Sequence, residues 1–288
     1  MIKSVSDIMV NNFKNVNVLD GVKKAQDFVI NKGIDFFPVM EEGRLVGMLT
    51  YRDLIRVHPN RIVADAMENK VISISPCTSI WEARSVFNSE DVEVLLIVGN
   101  EKIKGIVTKT LVNTELAKCE DPLTGLYKSD YIYYRTKELI NNKKNPAVIF
   151  IDINDFGYID KKYGHIQGDI LLKEVALILK ECMTSETFLC RFGGDEFTIV
   201  APYYLEKCIE FTKKILNEIS AFQFSNRIEI RASAGIALDN NKDCCTDINS
   251  RVYELINKAS LASTKAKNEK NSYYIAGNDD INEVYQIG

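Results

Sequence analysis

The chain has 288 residues, 46% of them hydrophobic and 26% charged, enough for two ordinary domains that each bury a core. A formal net charge of −4 excludes a general nucleic-acid binder, which needs a basic face against phosphate. Apolar runs such as 94–98 and 147–151 are too short to span a bilayer, and the opening lacks the apolar stretch of a secretion signal, so a cytoplasmic protein without a membrane partner is expected. The seven cysteines, an odd number with no C-x-x-C spacing, read as reduced thiols; Cys244 and Cys245 read as surface thiols in a polar loop and carry no metal.

In chain order, the first half contains a repeat. Val5-Ser6-Asp7-Ile8-Met9 returns as Val63-Ala64-Asp65-Ala66-Met67, and Gly47-Met48-Leu49-Thr50 returns as Gly105-Ile106-Val107-Thr108, both at an offset of 58 residues. Ala25 and Ala83, and Val39 and Ile97, keep the same offset. A register held without a gap marks a duplicated fold unit. Each copy predicts a short strand, an amphipathic helix, two strands and a closing helix. In the first copy the helix covers 22–31, with Val22, Ala25, Phe28 and Val29 on one face. Strands over 36–40 and 45–50 follow, joined by a turn at Gly43, and the closing helix begins at 53–56. Such a unit leaves one sheet face apolar, so the two copies should pack together.

The Asp-x-Met openings, Phe37-Pro38-Val39 and Gly47-Met48-Leu49-Thr50-Tyr51-Arg52-Asp53 resemble a pair of cystathionine-β-synthase-type (CBS) repeats over 1–113, with copies at about 1–58 and 59–113. The resemblance implies that Thr50 and Asp53 hold the ribose of an adenine nucleotide, with Thr108 at the matching position of the second copy. There Leu111 replaces the aspartate and Leu96 the proline, so one ribose site per pair is expected. A carboxylate can accept both ribose hydroxyl protons. The same Thr-x-x-Asp spacing also suits a helix cap. Residues 114–120 hold no glycine or proline and predict a stiff helical linker.

From 121 to 288 the pattern alternates strand and helix. A buried strand is expected over 147–152, a helix over 169–182, strands over 188–192 and 197–201, a helix over 205–220, a strand over 228–238, a helix over 248–267 and a last strand over 272–276. The order βαββαβ suggests an α+β sheet of the split βαβ, ferredoxin-like kind with helices on one face. Asp152 ends the first strand, and Asp195 and Glu196 sit on a hairpin turn. If those strands are neighbours, the carboxylates converge where oxygen ligands suit Mg²⁺ bridging phosphates. Gly193 and Gly194 permit positive φ and let a phosphate approach the backbone.

Arg191-Phe192-Gly193-Gly194-Asp195-Glu196-Phe197 is identified with the signature of the GGDEF family, the diguanylate cyclases. Asp121-Pro122-Leu123-Thr124-Gly125-Leu126, Tyr163-Gly164-His165-Ile166-Gln167-Gly168-Asp169, Ser233-Ala234-Gly235-Ile236-Ala237 and Ala266-Lys267 match further family segments in the right order. The resemblance implies a palm-like fold and joining of two GTP molecules into cyclic di-GMP and pyrophosphate, between two domains facing each other in a homodimer. It implies Mg²⁺ (or Mn²⁺) on Asp152, the Ile153 carbonyl and Asp195 or Glu196, with Asp195 as proton acceptor. Asp160, His165, Asp169, Gly193, Gly194 and Lys267 fall at substrate-contacting positions.

The chain also departs from the pattern. Gly157 stands where the family has a lysine, Asp160 where it has an asparagine, and Asn271 where it has an arginine. Thr184-Ser185-Glu186-Thr187 occupies the place of the inhibitory R-x-x-D. A weak or inactive domain that serves as a nucleotide sensor or docking module, and a cyclase of altered base specificity, are the alternative readings.

Overall fold

The structure, a computed structural model, describes residues 3–239 and 247–277; Cys244 and Cys245 lie outside the described residues. The chain divides into two compact units, Met1–Lys118 and Cys119–Gly288.

In the first unit the order is β1 (Val16–Asn17), α1 (Val22–Lys32), β2 (Phe36–Glu41), β3 (Arg44–Thr50), α2 (Tyr51–Leu54), then β4 (Ser73–Ile74), α3 (Ile80–Glu90), β5 (Val94–Gly99), β6 (Lys102–Thr108) and α4 (Lys109–Ala117). Two three-stranded sheets result, β1-β2-β3 and β4-β5-β6. The duplication extends to backbone detail. A register shift falls between Val39 and Met40 in one copy and between Ile97 and Val98 in the other. The first helix of each copy ends on a left-handed residue, Gly33 and Asp91. Val22 and Ala25 are buried, and Phe28 and Val29 pack on the same core. Met48, Leu96 and Ile106 form a cluster shared by both sheets, so the apolar faces left by each copy cover one another.

The openings of the two copies are exchanged. The Val5 N–H donates to the Thr78 carbonyl at 2.8 Å, and Val10 bridges Ile106. Reciprocally, the Val63 N–H donates to the Asp20 carbonyl at 2.8 Å and Glu68 bridges Met48. This explains the Asp-x-Met motif. A Cβ on Gly47 would meet the Met67 sulfur at 2.7 Å, and one on Gly105 would meet the Met9 sulfur at 2.8 Å. Each methionine therefore lies on the glycine of the other copy's G-x-x-T strand. The sequence repeats at 1–58 and 59–113 thus differ from the spatial ones by their first dozen residues. The expected helical linker over 114–120 is also corrected. α4 ends at Ala117, Lys118 and Cys119 turn, and Glu120 bridges Tyr127. A residue engaged in a bridge cannot continue the helical ladder.

The second unit runs α5 (Ser129–Asn141), β7 (Ala147–Ile153), α6 (Phe156–Tyr163), α7 (His165–Cys182), β8 (Phe188–Gly193), β9 (Glu196–Ala201), α8 (Leu205–Ala221), β10 (Ala232–Leu238), α9 (Ile248–Asn268) and β11 (Tyr273–Ile275). The sheet order is β11-β10-β7-β9-β8. β7 is central, and its continuous apolar run is that of a strand buried on both faces. Ile149, Ile151 and Ile153 join one core with α6, α7 and α8, while Val148 and Phe150 join another with α5 and α9. The expectation of helices on one face is corrected accordingly. The strand expected over 228–238 begins only at Ala232, because its ladder partner β7 ends at Ile153, directly opposite. Ile228 and Ile230 still reach the core. Helix α7 starts four residues earlier than expected, and α5 and α6 went unpredicted.

Candidate active site

β7 and β9 are antiparallel neighbours in a register that sets Asp152 opposite Glu196. Cross-strand partners present their side chains to the same face. The β8–β9 hairpin closes through Gly194 and Asp195 between the paired residues Gly193 and Glu196, and Gly194 adopts φ +49°, which a side chain resists. The Asp195 carbonyl accepts a hydrogen bond from the Ile153 N–H at 3.4 Å, tying the turn to the end of β7. Burial pushes the carboxyl groups of Asp195 and Glu196 above the ordinary range. The Asp152 charge adds to both shifts, and Lys267 opposes them.

A fourth group shares this edge. Lys267, near the end of α9, donates to Asp152 Oδ1 at 2.5 Å and to the Ile153 carbonyl at 3.3 Å. α9 lies close enough because of Gly235. A Cβ there would meet the Ala259 carbonyl oxygen at 2.0 Å, so only glycine lets the helix settle on β10. Among the described residues no group of three or more His, Cys, Asp and Glu side chains is disposed to hold a metal ion. The expected convergence is therefore of a looser kind, with carboxylates adjacent but not closed into a shell. Two of the oxygens assigned to a divalent ion nevertheless receive a cation here, the Lys267 ammonium, so this donor set fits a positive charge.

The signature hairpin has an anchor that sequence reading missed. Arg191 Nε donates to the Gly194 carbonyl at 2.8 Å, and its Nη1 reaches both Asp121 carboxylate oxygens at 3.0 and 3.1 Å. Asp121 Oδ2 also accepts from the Thr124 N–H and hydroxyl at 2.8 and 2.6 Å. Burial opposes ionisation of Asp121, but the Thr124 hydrogen bonds and Arg191 outweigh it and hold the carboxyl below its ordinary 3.8. Two motifs 70 residues apart are thus one construction. The Ser233 hydroxyl likewise donates to Asn154 Oδ1 at 3.0 Å and the Asn271 carbonyl at 3.3 Å.

Asp160 on α6 and His165 at the start of α7 are brought together, with Oδ2 and Nδ1 2.7 Å apart. Asp160 Oδ1 is buried without a hydrogen-bond partner against Gly168, where a Cβ would lie 1.9 Å from it. Asp169 is exposed on α7. Gly157 is exposed with open space where a side chain would project. Thr184 and Thr187 spend their hydroxyls locally: Thr187 Oγ1 accepts from the Thr184 N–H at 2.7 Å, and Thr184 Oγ1 lies 3.0 Å from the Tyr203 hydroxyl. Cys182, Cys190 and Cys208 are buried free thiols, and burial raises the pKa of each, Cys208 to about 12.

In the first unit, Thr50, Asp53 and Thr108 line a cleft of about 450 Å³. Asp53 Oδ2 accepts from both the Thr50 N–H and hydroxyl at 2.8 and 2.7 Å, a capping box at the start of α2. Thr108 caps α4 by accepting from the Leu111 N–H at 3.2 Å. Both readings of these residues therefore meet in one place, a cap that faces a cleft.

A family profile described as "Diguanylate cyclase, GGDEF domain" matches residues 119–272. The chain belongs to the GGDEF family. A CBS domain profile matches 5–60 and 63–116, so the architecture is two CBS domains followed by a GGDEF domain. Among curated proteins the chain is similar to Diguanylate cyclase A of Treponema denticola, 24% identical over 199 residues, covering 65% of this chain and 52% of that protein. It is also similar to Probable diguanylate cyclase DgcE of Escherichia coli, 31% identical over 126 residues, covering 42% of this chain and 11% of that protein. The chain thus spans about half of the first relative and a ninth of the second. Among solved structures, the coiled coil and GGDEF domain of DgcB from Caulobacter crescentus in complex with c-di-GMP superposes with a TM-score of 0.50 at 19% identity, over 58% of this chain and 91% of that one, a likeness of fold. Among the described residues no helix of the GGDEF or CBS domains is long and apolar enough to cross a membrane.

Proposed function

We propose that the GGDEF domain joins two GTP molecules into cyclic di-GMP and pyrophosphate, and that an adenine nucleotide in the CBS cleft governs it. The observation that carries the first part is the register of Asp152 against Glu196, with Asp195 in the adjoining turn and Lys267 on the same edge. Asp152, the Ile153 carbonyl and Asp195 or Glu196 would hold Mg²⁺ or Mn²⁺, which supplies charge neutralisation at phosphate and lowers the pKa of the attacking hydroxyl.

The backbone at Gly193 and Gly194 gives phosphate close access, and Asp160 and Asp169 face the purine. The 3′-hydroxyl of one nucleotide attacks the α-phosphorus of the other. A new O–P bond forms as the bond to the bridging oxygen breaks, pyrophosphate leaves with that electron pair, and Asp195 takes the hydroxyl proton. The same exchange in the opposite sense closes the ring, which requires two GGDEF domains face to face and hence a homodimer.

A second reading, a weak or silent domain that binds nucleotide, is favoured by the open, uncharged position at Gly157 and by Asn271, whose amide donates to Glu269 at 3.3 Å. Incubating the full chain with GTP and Mg²⁺ and identifying products by mass separates the two. Cyclic di-GMP is expected, and GTP bound but recovered unchanged establishes the second reading.

A further inference from the structure

Lys267 is not where a lysine reserved for substrate phosphate would be expected to sit. Its ammonium is bonded to Asp152 Oδ1 and to the Ile153 carbonyl oxygen, the two main oxygens that the proposed function gives to the divalent ion. The Lys267 side chain is one-third exposed and Asp152 is more buried, so the lysine is the more solvent-facing partner of the contact. Magnesium takes oxygen at about 2.0–2.1 Å with near-ideal geometry. An ion that took these same two oxygens, Asp152 Oδ1 and the Ile153 carbonyl, would contend with the ammonium for their lone pairs, and two like charges at contact distance repel.

We infer that Lys267 and the divalent ion compete for Asp152 and the Ile153 carbonyl, so that the lysine gates metal entry. The inference rests on the proposed function for the identity of the metal oxygens. α9 gives the lysine the means to yield. Lys267 lies in its last turn, beyond the stretch that Gly235 presses against β10, and the side chain has four rotatable carbons with which to swing to another anion. Nucleotide phosphate is such an anion. A phosphate that draws Lys267 away strengthens metal binding, and by reciprocity bound metal strengthens nucleotide binding. Lys267 is in this sense a positioning residue that sets the order of loading, with the metal arriving with or after the nucleotide.

The test is a Mn²⁺ titration of the full chain followed by electron paramagnetic resonance, with no nucleotide present. Wild-type protein is compared with Lys267→Met, which keeps the apolar stem, with Lys267→Gln, and with the double variant Asp152→Ala/Lys267→Met; thermal melting checks each fold. Both single variants should bind Mn²⁺ on the order of tenfold more tightly than wild type, as expected for removing a like charge from contact distance, and the double variant should lose that gain. Equal or weaker Mn²⁺ binding by the folded single variants overturns the gate while leaving the metal site standing. No Mn²⁺ binding by any of the proteins removes the metal site and the gate together. A gain that survives in the double variant also overturns the inference, because the released ligand would not be Asp152.

Discussion

The CBS pair and the GGDEF domain differ in how far their motif residues reach. In the CBS pair the polar motif groups bond over three residues, Thr50 with Asp53 and Thr108 with Leu111. In the GGDEF domain local bonds of this kind recur, Asp121 with Thr124 and Asp160 with His165, but others span 70, 79 and 115 residues, Arg191 with Asp121, Ser233 with Asn154, and Lys267 with Asp152. The charge divides as well. Residues 1–118 hold fifteen basic and fifteen acidic residues, so the whole formal charge of −4 belongs to the C-terminal part. The first region is a neutral frame whose Thr50, Asp53 and Thr108 cap its own helices. The second is a shared edge where a change at one motif is felt at another.

The largest effect should follow from breaking that shared edge. Asp152→Ala or Asp195→Ala should lower any cyclisation on the order of 10²-fold or more with an unchanged melting temperature, measured as cyclic di-GMP formed per unit time. Wild-type turnover in both variants would falsify the assignment of this edge. Next comes the anchor between motifs. Arg191→Ala leaves a largely buried carboxylate without its cation and should cost about 3 kcal/mol of stability near neutral pH, read from urea unfolding.

The pH course of that loss follows from Asp121. Its carboxyl is held below 3.8 in the fold, so the contribution is fully present above that value and fades as pH falls through the lowered one. The gap between wild type and variant should therefore narrow in acid. A gap constant down to acid unfolding would mean that Arg191 acts through packing alone.

The local frame should respond differently. Asp53→Ala removes one acceptor from one cap, worth about 1 kcal/mol, and should abolish calorimetric binding of AMP at one site per chain without altering turnover by the GGDEF domain in the absence of that ligand. Binding retained by the variant would leave the cap as the residue's whole role. The smallest change is expected at Asp160. An asparagine there can present a donor where the carboxylate only accepts. Asp160→Asn should tighten GTP binding and raise its preference over ATP by a few-fold, about 1 kcal/mol. Identical affinities for both nucleotides in the two proteins would show that Asp160 serves only to hold His165.

These differences also account for what the sequence made legible. The first helix of the repeat and the strands around Gly47 and Gly105 are local patterns with a fixed period, and they stand where expected. The closing helix of the first copy begins at Tyr51, two residues before its expected start at Asp53, because Thr50 caps it. Asp152, Asp195 and Glu196 could be read as a set because Asp152 lies beside the end of one strand, Glu196 begins another and Asp195 sits in the turn just before it. The Asp121–Arg191 link and the lysine on Asp152 could not, since no local pattern records which distant segment a side chain will face. Helix α6 escaped because Gly157 and three aromatic residues (Phe156, Tyr158 and Tyr163) weaken its propensity, and its tertiary burial through Phe156 and Ile159 overrides that weakness. The second helical face of the sheet escaped for a related reason. A central strand apolar on both sides looks the same in sequence whichever way its helices are distributed.

The exchanged openings of the CBS copies bear on how the protein is made. β3 takes its bridge from Glu68, and β6 takes one from Val10, so neither sheet is finished by its own copy. As the chain leaves the ribosome, the first repeat must wait for residues 60–68 before Met67 can cover Gly47. Residues 3–10 must in turn wait for the strand that carries Gly105. The pair therefore closes late and as one cooperative unit with contacts spanning nearly its whole length, a topology that slows folding. A ribosome-released fragment ending at residue 58 should remain protease-sensitive, whereas one ending at residue 118 should be protected.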